Sequence, residues 1–200
     1  MTLISNRKIV LKTTVLMAMA AMLVFAFQGG PPPGYTGYFG EPNCHDCHAD
    51  RDVDSGGGTF EIRGVPEQYT PGQTYPITVS LGQSGQQRWG FELAARFQGD
   101  DTQAGTLQAT DTVNTQVMRS DDTGILYIMH TAEGTYAGTQ DGPVTWRFNW
   151  VAPAEGTDTV VFGAAGNAAD GNNKPRCPEG DPSCTGDYIY LTSVSSPPAQ

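Results

Sequence analysis

Two hundred residues suit one domain with extensions, and a net charge of −10 argues against partners such as nucleic-acid phosphates or anionic lipid, which need a basic face. With 25 Gly, 14 Pro and 10 % aromatic residues, the composition favours strands and turns over a helical bundle.

Residues 1–26 read as an export signal. Arg7, Lys8 and Lys12 precede the apolar run "TTVLMAMAAMLVFAF", and Val24 and Ala26 place small side chains where a signal peptidase cuts. Cleavage there removes three positive charges and leaves a mature chain near −13. The run falls short of the ~20 apolar residues of a full membrane span. The expectation is an exported protein, in the periplasm, at the cell surface or outside the cell, where disulfides persist.

Residues 27–58 form the next unit. "GGPPPGYTGYFGEPN" has the Pro and Gly density of an extended arm. It leads into "CHDCH", and "ADRDVDSGGG" follows as a polar link. From Thr59 the pattern becomes that of strands. "GTFEIRG" is short, and "TYPITVSL" follows the turn signal "TPGQ". In "RWGFELAARF", Trp89, Phe91, Leu93, Ala95 and Phe97 alternate with Gly90, Glu92, Ala94 and Arg96, which predicts a half-buried strand. "GTLQAT" and "NTQVMRS" are weaker. "GILYIMH" is apolar on both faces and so predicts a central strand. "VTWRFNWV" turns Val144, Trp146, Phe148 and Trp150 inward, and "DTVVFGAAGN" and "DYIYLTS" complete eight or nine strands. Spacing of this kind predicts an all-β, immunoglobulin- or fibronectin-like antiparallel β-sandwich over residues 59–194, followed by a loose tail at 195–200.

Cys44, Cys47 and His48 form C-x-x-C-H, the attachment signature of a c-type haem. Two thiols three apart can each add to one vinyl group of the porphyrin, and the histidine directly after the second becomes the proximal iron ligand. Attachment outside the cytoplasm fits the export signal. Three rival readings suit the residues less well. A redox dithiol expects a helix start in a βαβ setting, not a Pro/Gly arm. A zinc site wants a second close pair, and Cys177 and Cys184 are too widely spaced. A Cys44–Cys47 disulfide leaves His48 without a role. If haem takes the first pair, Cys177 and Cys184 are left to bond each other and staple the loop "CPEGDPSC".

The iron then has one axial position to fill. His130, at the end of "ILYIMH", shares a face with Leu126 and Ile128 and is the expected distal ligand; these two could wall an apolar pocket. The ordinary alternative is a sheet-edge histidine bonded to backbone. Met118 is the substitute, Met129 points to the other face, and His45 sits inside the attachment loop. A ligand from another subunit remains open. Two imidazoles leave no vacant iron site, which suits electron transfer over catalysis.

"TGYFGEPNCHDCH", "VPEQYTPGQTYPITV", "WGFEL", "IMHT", "WRFNWVAP", "VVFGAAGNAADGN" and "CTGDYIYLTS" together resemble the bacterial Reeler-like exported domains, also called choice-of-anchor V, over roughly residues 34–194. The matching positions are Thr36, Gly37, Gly40, Glu41, Cys44, Cys47, His48 and His130. The resemblance implies a β-sandwich and, for members with the motif, one covalent haem c; it implies little about physiological role. "YF" at positions 38–39 and the stretch "KPRCPEGDPSC" depart from the family's pattern.

Weaker signals remain. Asp50, Asp52, Asp54 and Glu61 have spacings like a calcium loop, but Ser55 stands where such a loop needs Gly. Trp89, Trp146 and Trp150 could form a sugar platform, though their alternation says core. Tyr35, Tyr38 and Phe39 flank the attachment motif, to pack on the haem or on a neighbouring subunit. The leading expectation is an exported monohaem cytochrome that passes electrons to a redox partner protein, with a homo-oligomer or filament built through the arm as the assembly that the arm's composition suggests. The alternatives are a non-enzymatic binding or adhesion module with structural cysteines, and a haem enzyme or gas sensor with an open iron site.

Overall fold

The computed structural model describes residues 29–156 and 158–200. The export signal lies outside the described residues.

Nine strands build two antiparallel sheets. In chain order they are β1 Thr59–Arg63, β2 Thr74–Gly82, β3 Arg88–Phe97, β4 Thr106–Ala109, β5 Thr115–Arg119, β6 Leu126–His130, β7 Val144–Val151, β8 Val160–Ala169 and β9 Tyr188–Ser196. One sheet has the order β1-β2-β7-β4, the other β5-β6-β3-β8-β9. The sandwich expected from the alternating patterns is therefore present, and the run "ILYIMH" lies inside its sheet, between β5 and β3. No helix among the described residues is long and apolar enough to cross a membrane.

The three tryptophans fill the space between the sheets. Trp89, Trp146 and Trp150 are at most 1 % exposed, with Phe91 against Trp146, Phe162 against Trp150 and Phe148 stacked on Phe91. Each indole N–H finds a backbone carbonyl: Trp89 to Thr139 at 3.0 Å, Trp146 to Gly134 at 2.8 Å and Trp150 to Ala104 at 2.9 Å. Buried so, they offer no sugar platform.

The second sheet has a third layer on its outer side. Trp89, Phe91, Leu93 and Ala95 of β3 face the inter-sheet core, so Gly90, Glu92, Ala94 and Arg96 face outward. That face is nonetheless buried, because residues 29–48 fold back across it. The backbone N–H groups of Gly34 and Tyr35 donate to Glu92, at 2.8 and 3.1 Å. Phe39 joins Ala94, Ile125, Tyr127 and Met129 in an apolar patch. Tyr38 lies over Gly163, and Gly37, at φ +74°, presses on Leu191. The segment is thus a packed layer held by a bridge at Thr36 and Asn43, not the extended arm expected from its composition. β3 is buried on both faces for the same reason, although its period-two pattern predicts one wet side. At the other end of the chain, Tyr69 bonds to Pro197 O and accepts from Ala199 N.

Candidate haem site

The sequence Asn43-Cys44-His45-Asp46-Cys47-His48 turns through one 3₁₀ turn, Cys44–Asp46. Asn43 caps it by accepting the N–H of His45 at 2.8 Å, the usual work of an Asn at a helix start. The turn closes with Cys47 N and His48 N both donating to Cys44 O. Cys44 and Cys47 are free thiols on this turn, the first half-buried and the second exposed. Burial, reinforced by the negative charge of Glu92, pushes the Cys44 thiol up to about 12.

His48 is held by a carboxylate. Its Nδ1 donates to Asp187 Oδ2 at 2.6 Å, across 139 residues of sequence. Because a carboxylate only accepts, Nδ1 carries a proton, and Nε2 is the nitrogen turned away from Asp187. Asp187 precedes β9 and continues the outward parity of Ile189 and Leu191.

His130 ends β6 on the same side of the sheet. Its ring fills the space that a side chain at Gly90 would take: a Cβ there would lie 2.7 Å from Cε1. Nδ1 is engaged by the backbone of Phe91, 3.1 Å from its N and 3.2 Å from its O. Nε2 has no hydrogen-bond partner among the described residues. Burial lowers the imidazole to about 4, so it is neutral, and the Phe91 N–H donates to its Nδ1. The residue bonds to backbone as an ordinary sheet-edge histidine does, yet its ring has swung to the outer face. The expected wall of Leu126 and Ile128 is not formed: Ile128 belongs to the core between the sheets.

The register relates His130 to Asp187, the partner of His48. Gly90 pairs with Asn167 of β8, and Asn167 pairs with Ile189 of β9. The register thus sets His130, over Gly90 of β3, and Asp187, just before β9, on strands separated by β8. Between them, Asn167 Oδ1 is buried without a hydrogen-bond partner. Cys44, Cys47 and His48 on the turn, with His130 over Gly90, are the residues that a haem held from the turn would use. Met118 does not join them; it lies 41 % exposed on the edge strand β5.

The other candidate residues have structural work. Cys177 and Cys184 form a disulfide, so the neighbouring Asp170 has no thiolate companion for a metal. Asp50 accepts the N–H groups of Cys177 and Asp187, and Asp54 that of Leu191. The spacing that resembles a calcium loop thus supplies acceptors to backbone. An open recess of about 500 Å³ follows His48, lined by Asp50, Arg51, Asp52 and Ser55 among others. Its polar lining does not suit a porphyrin, and neither imidazole lines it.

An antiparallel two-sheet sandwich with a cysteine–histidine turn laid against one outer face defines the class of domain. Residues 43–166 match the Reeler domain model, and the chain belongs to the Reeler domain family. No curated protein matches it. Among solved structures it is similar to the Reelin-N domain of F-spondin, at 20 % identity over 78 % of this chain and 97 % of that one, TM-score 0.47. The human F-spondin reeler domain is similar at 20 % identity, 75 % and 95 % coverage and TM-score 0.45. A cohesin module from Clostridium perfringens is similar at 15 % identity, 71 % and 95 % coverage and TM-score 0.42.

Proposed function

We propose that the chain is an exported Reeler domain carrying one covalent haem c, which passes electrons to a redox partner protein. The observation that carries this reading is C-x-x-C-H presented on a single turn, with His48 braced by Asp187 and His130 lodged over Gly90 on the same face. Cys44 and Cys47 would tether the group, and His48 and His130 would be the residues to hold its iron. When bound, haem supplies a one-electron iron couple. The protein's own part is to brace His48 Nδ1 on Asp187 and His130 Nδ1 on the Phe91 backbone. The Cys177–Cys184 disulfide and the N-terminal apolar run support export.

The test is the mass and pyridine haemochrome spectrum of chain produced in a host competent for cytochrome maturation. The expected mass exceeds the polypeptide by one porphyrin. A bare polypeptide mass overturns the reading. Membership of the Reeler family favours a second reading, a non-enzymatic extracellular binding or adhesion module. It expects a colourless protein from the same preparation.

A further inference from the structure

Asp187 is 2 % exposed, and its carboxylate is held from two sides. Oδ1 accepts the N–H of Asp170 at 3.2 Å, and Oδ2 accepts His48 Nδ1–H at 2.6 Å. Its own N–H donates to Asp50 Oδ2, while Asp50 Oδ1 accepts the N–H of Cys177. Arg176, next to that cysteine, donates to the carbonyls of Asp46 and Cys47 at 3.1 and 3.2 Å. The disulfide-closed loop and the attachment turn are therefore one hydrogen-bonded frame, with Asp187 at its centre. His130 differs: its Nδ1 meets only the backbone of Phe91.

A ligating histidine that donates its other N–H to a carboxylate is better oriented and more basic than one bonded to a carbonyl. We propose that Asp187 is the positioning residue of His48, fixing its tautomer and ring plane and lending it negative charge that favours ferric over ferrous iron. The inference rests on His48 being an iron ligand. The electron gained on reduction comes from the redox partner, and no bond or proton changes at Asp187.

The test compares haem-loaded wild type, Asp187→Asn and Asp187→Glu by spectroelectrochemical titration of the full chain. Asp187→Asn should keep the added porphyrin mass and raise the midpoint. The expected size is a tenfold change in the ferric-to-ferrous ratio at fixed potential, about 59 mV for one electron. Asp187→Glu should return most of the shift. A haem-loaded Asp187→Asn with an unchanged midpoint overturns this inference alone. A wild-type mass of bare polypeptide overturns the haem reading and this inference with it. Should Asp187→Asn fail to fold, ¹⁵N NMR of the wild-type full chain made without haem decides at neutral pH. A proton is expected on His48 Nδ1, and an Nδ1 without a proton overturns the proposal.

Discussion

Two neighbouring positions on β3 set the chemistry of the outer face. Gly90 is glycine because the His130 ring stands where its side chain would be, with Cε1 2.7 Å from the Cβ position. Gly90→Ala must move the ring or the strand, and overpacking of this kind costs about 1–3 kcal/mol. The expected outcome is a lower urea midpoint and, in haem-loaded chain, a disturbed axial spectrum; a variant unchanged in both shows that the ring does not need the space. Glu92, two residues on, is buried beneath the N-terminal layer. Desolvation raises its carboxyl from 4.5 to about 8, against the pull of the Gly34 and Tyr35 N–H groups. Below pH 4.5 the group is protonated in both folded and unfolded chains and costs nothing. Between pH 4.5 and 8 the unfolded chain has released a proton that the folded one keeps, so stability falls as pH rises and levels off above 8. The loss across that window is at most about 5 kcal/mol. Glu92→Gln removes it, so the stability difference between variant and wild type should grow from pH 4.5 to 8 in denaturation curves. A difference that stays flat with pH sinks the assignment.

The N-terminal layer shows which elements were readable and which were not. Thr36 and Glu41, the ends of T-G-x-x-G-E, meet through a 2.6 Å hydrogen bond, and Glu41 also pairs with Arg96 and accepts from Tyr127. The Glu41 and Arg96 side chains are 13 % and 7 % exposed. Glu41→Ala leaves the guanidinium without its partner in a dry site and should cost about 3–5 kcal/mol in chemical denaturation. The control is Glu61→Ala, whose partner Arg63 is 70 % exposed and whose loss should cost no more than about 1 kcal/mol. Equal effects in the two variants would refute the layer's role as a buried clamp. The strands themselves were legible, because period two reports which side of a strand is apolar. "ILYIMH" declared both faces, and β6 is a central strand. "RWGFELAARF" declared one, and Glu92 and Arg96 read as wetted. Alternation describes a strand's own side chains and says nothing of a distant segment folded across them. Composition misled in the same way: Pro and Gly kept residues 29–43 from forming a strand, yet allowed the close approaches at Gly37 and over Gly163 that pin the layer down.

Across the whole molecule, the candidate haem residues could be picked out in the sequence where their signal was local and not where it was distant. Cys44, Cys47 and His48 declare themselves by spacing, and His130 by standing at the end of an apolar strand. Asp187 gives no local signal, because it meets His48 only after β8 and the disulfide loop have brought position 187 back to the turn. Asn167 is equally silent until the register sets it beside Gly90. The two imidazoles thus come from opposite ends of the fold's construction, one on the N-terminal layer and one on the sheet beneath. Their roles separate by substitution. His130→Ala leaves Cys44, Cys47 and His48 in place, so the porphyrin mass should persist while the low-spin spectrum gives way to one that takes up carbon monoxide without displacing a ligand. Met118→Ala should change neither mass nor spectrum, since that side chain is 41 % exposed on an edge strand with β6 and β3 between it and β8. A low-spin spectrum that survives His130→Ala removes His130 from the ligand set, and one lost on Met118→Ala moves the distal ligand to β5.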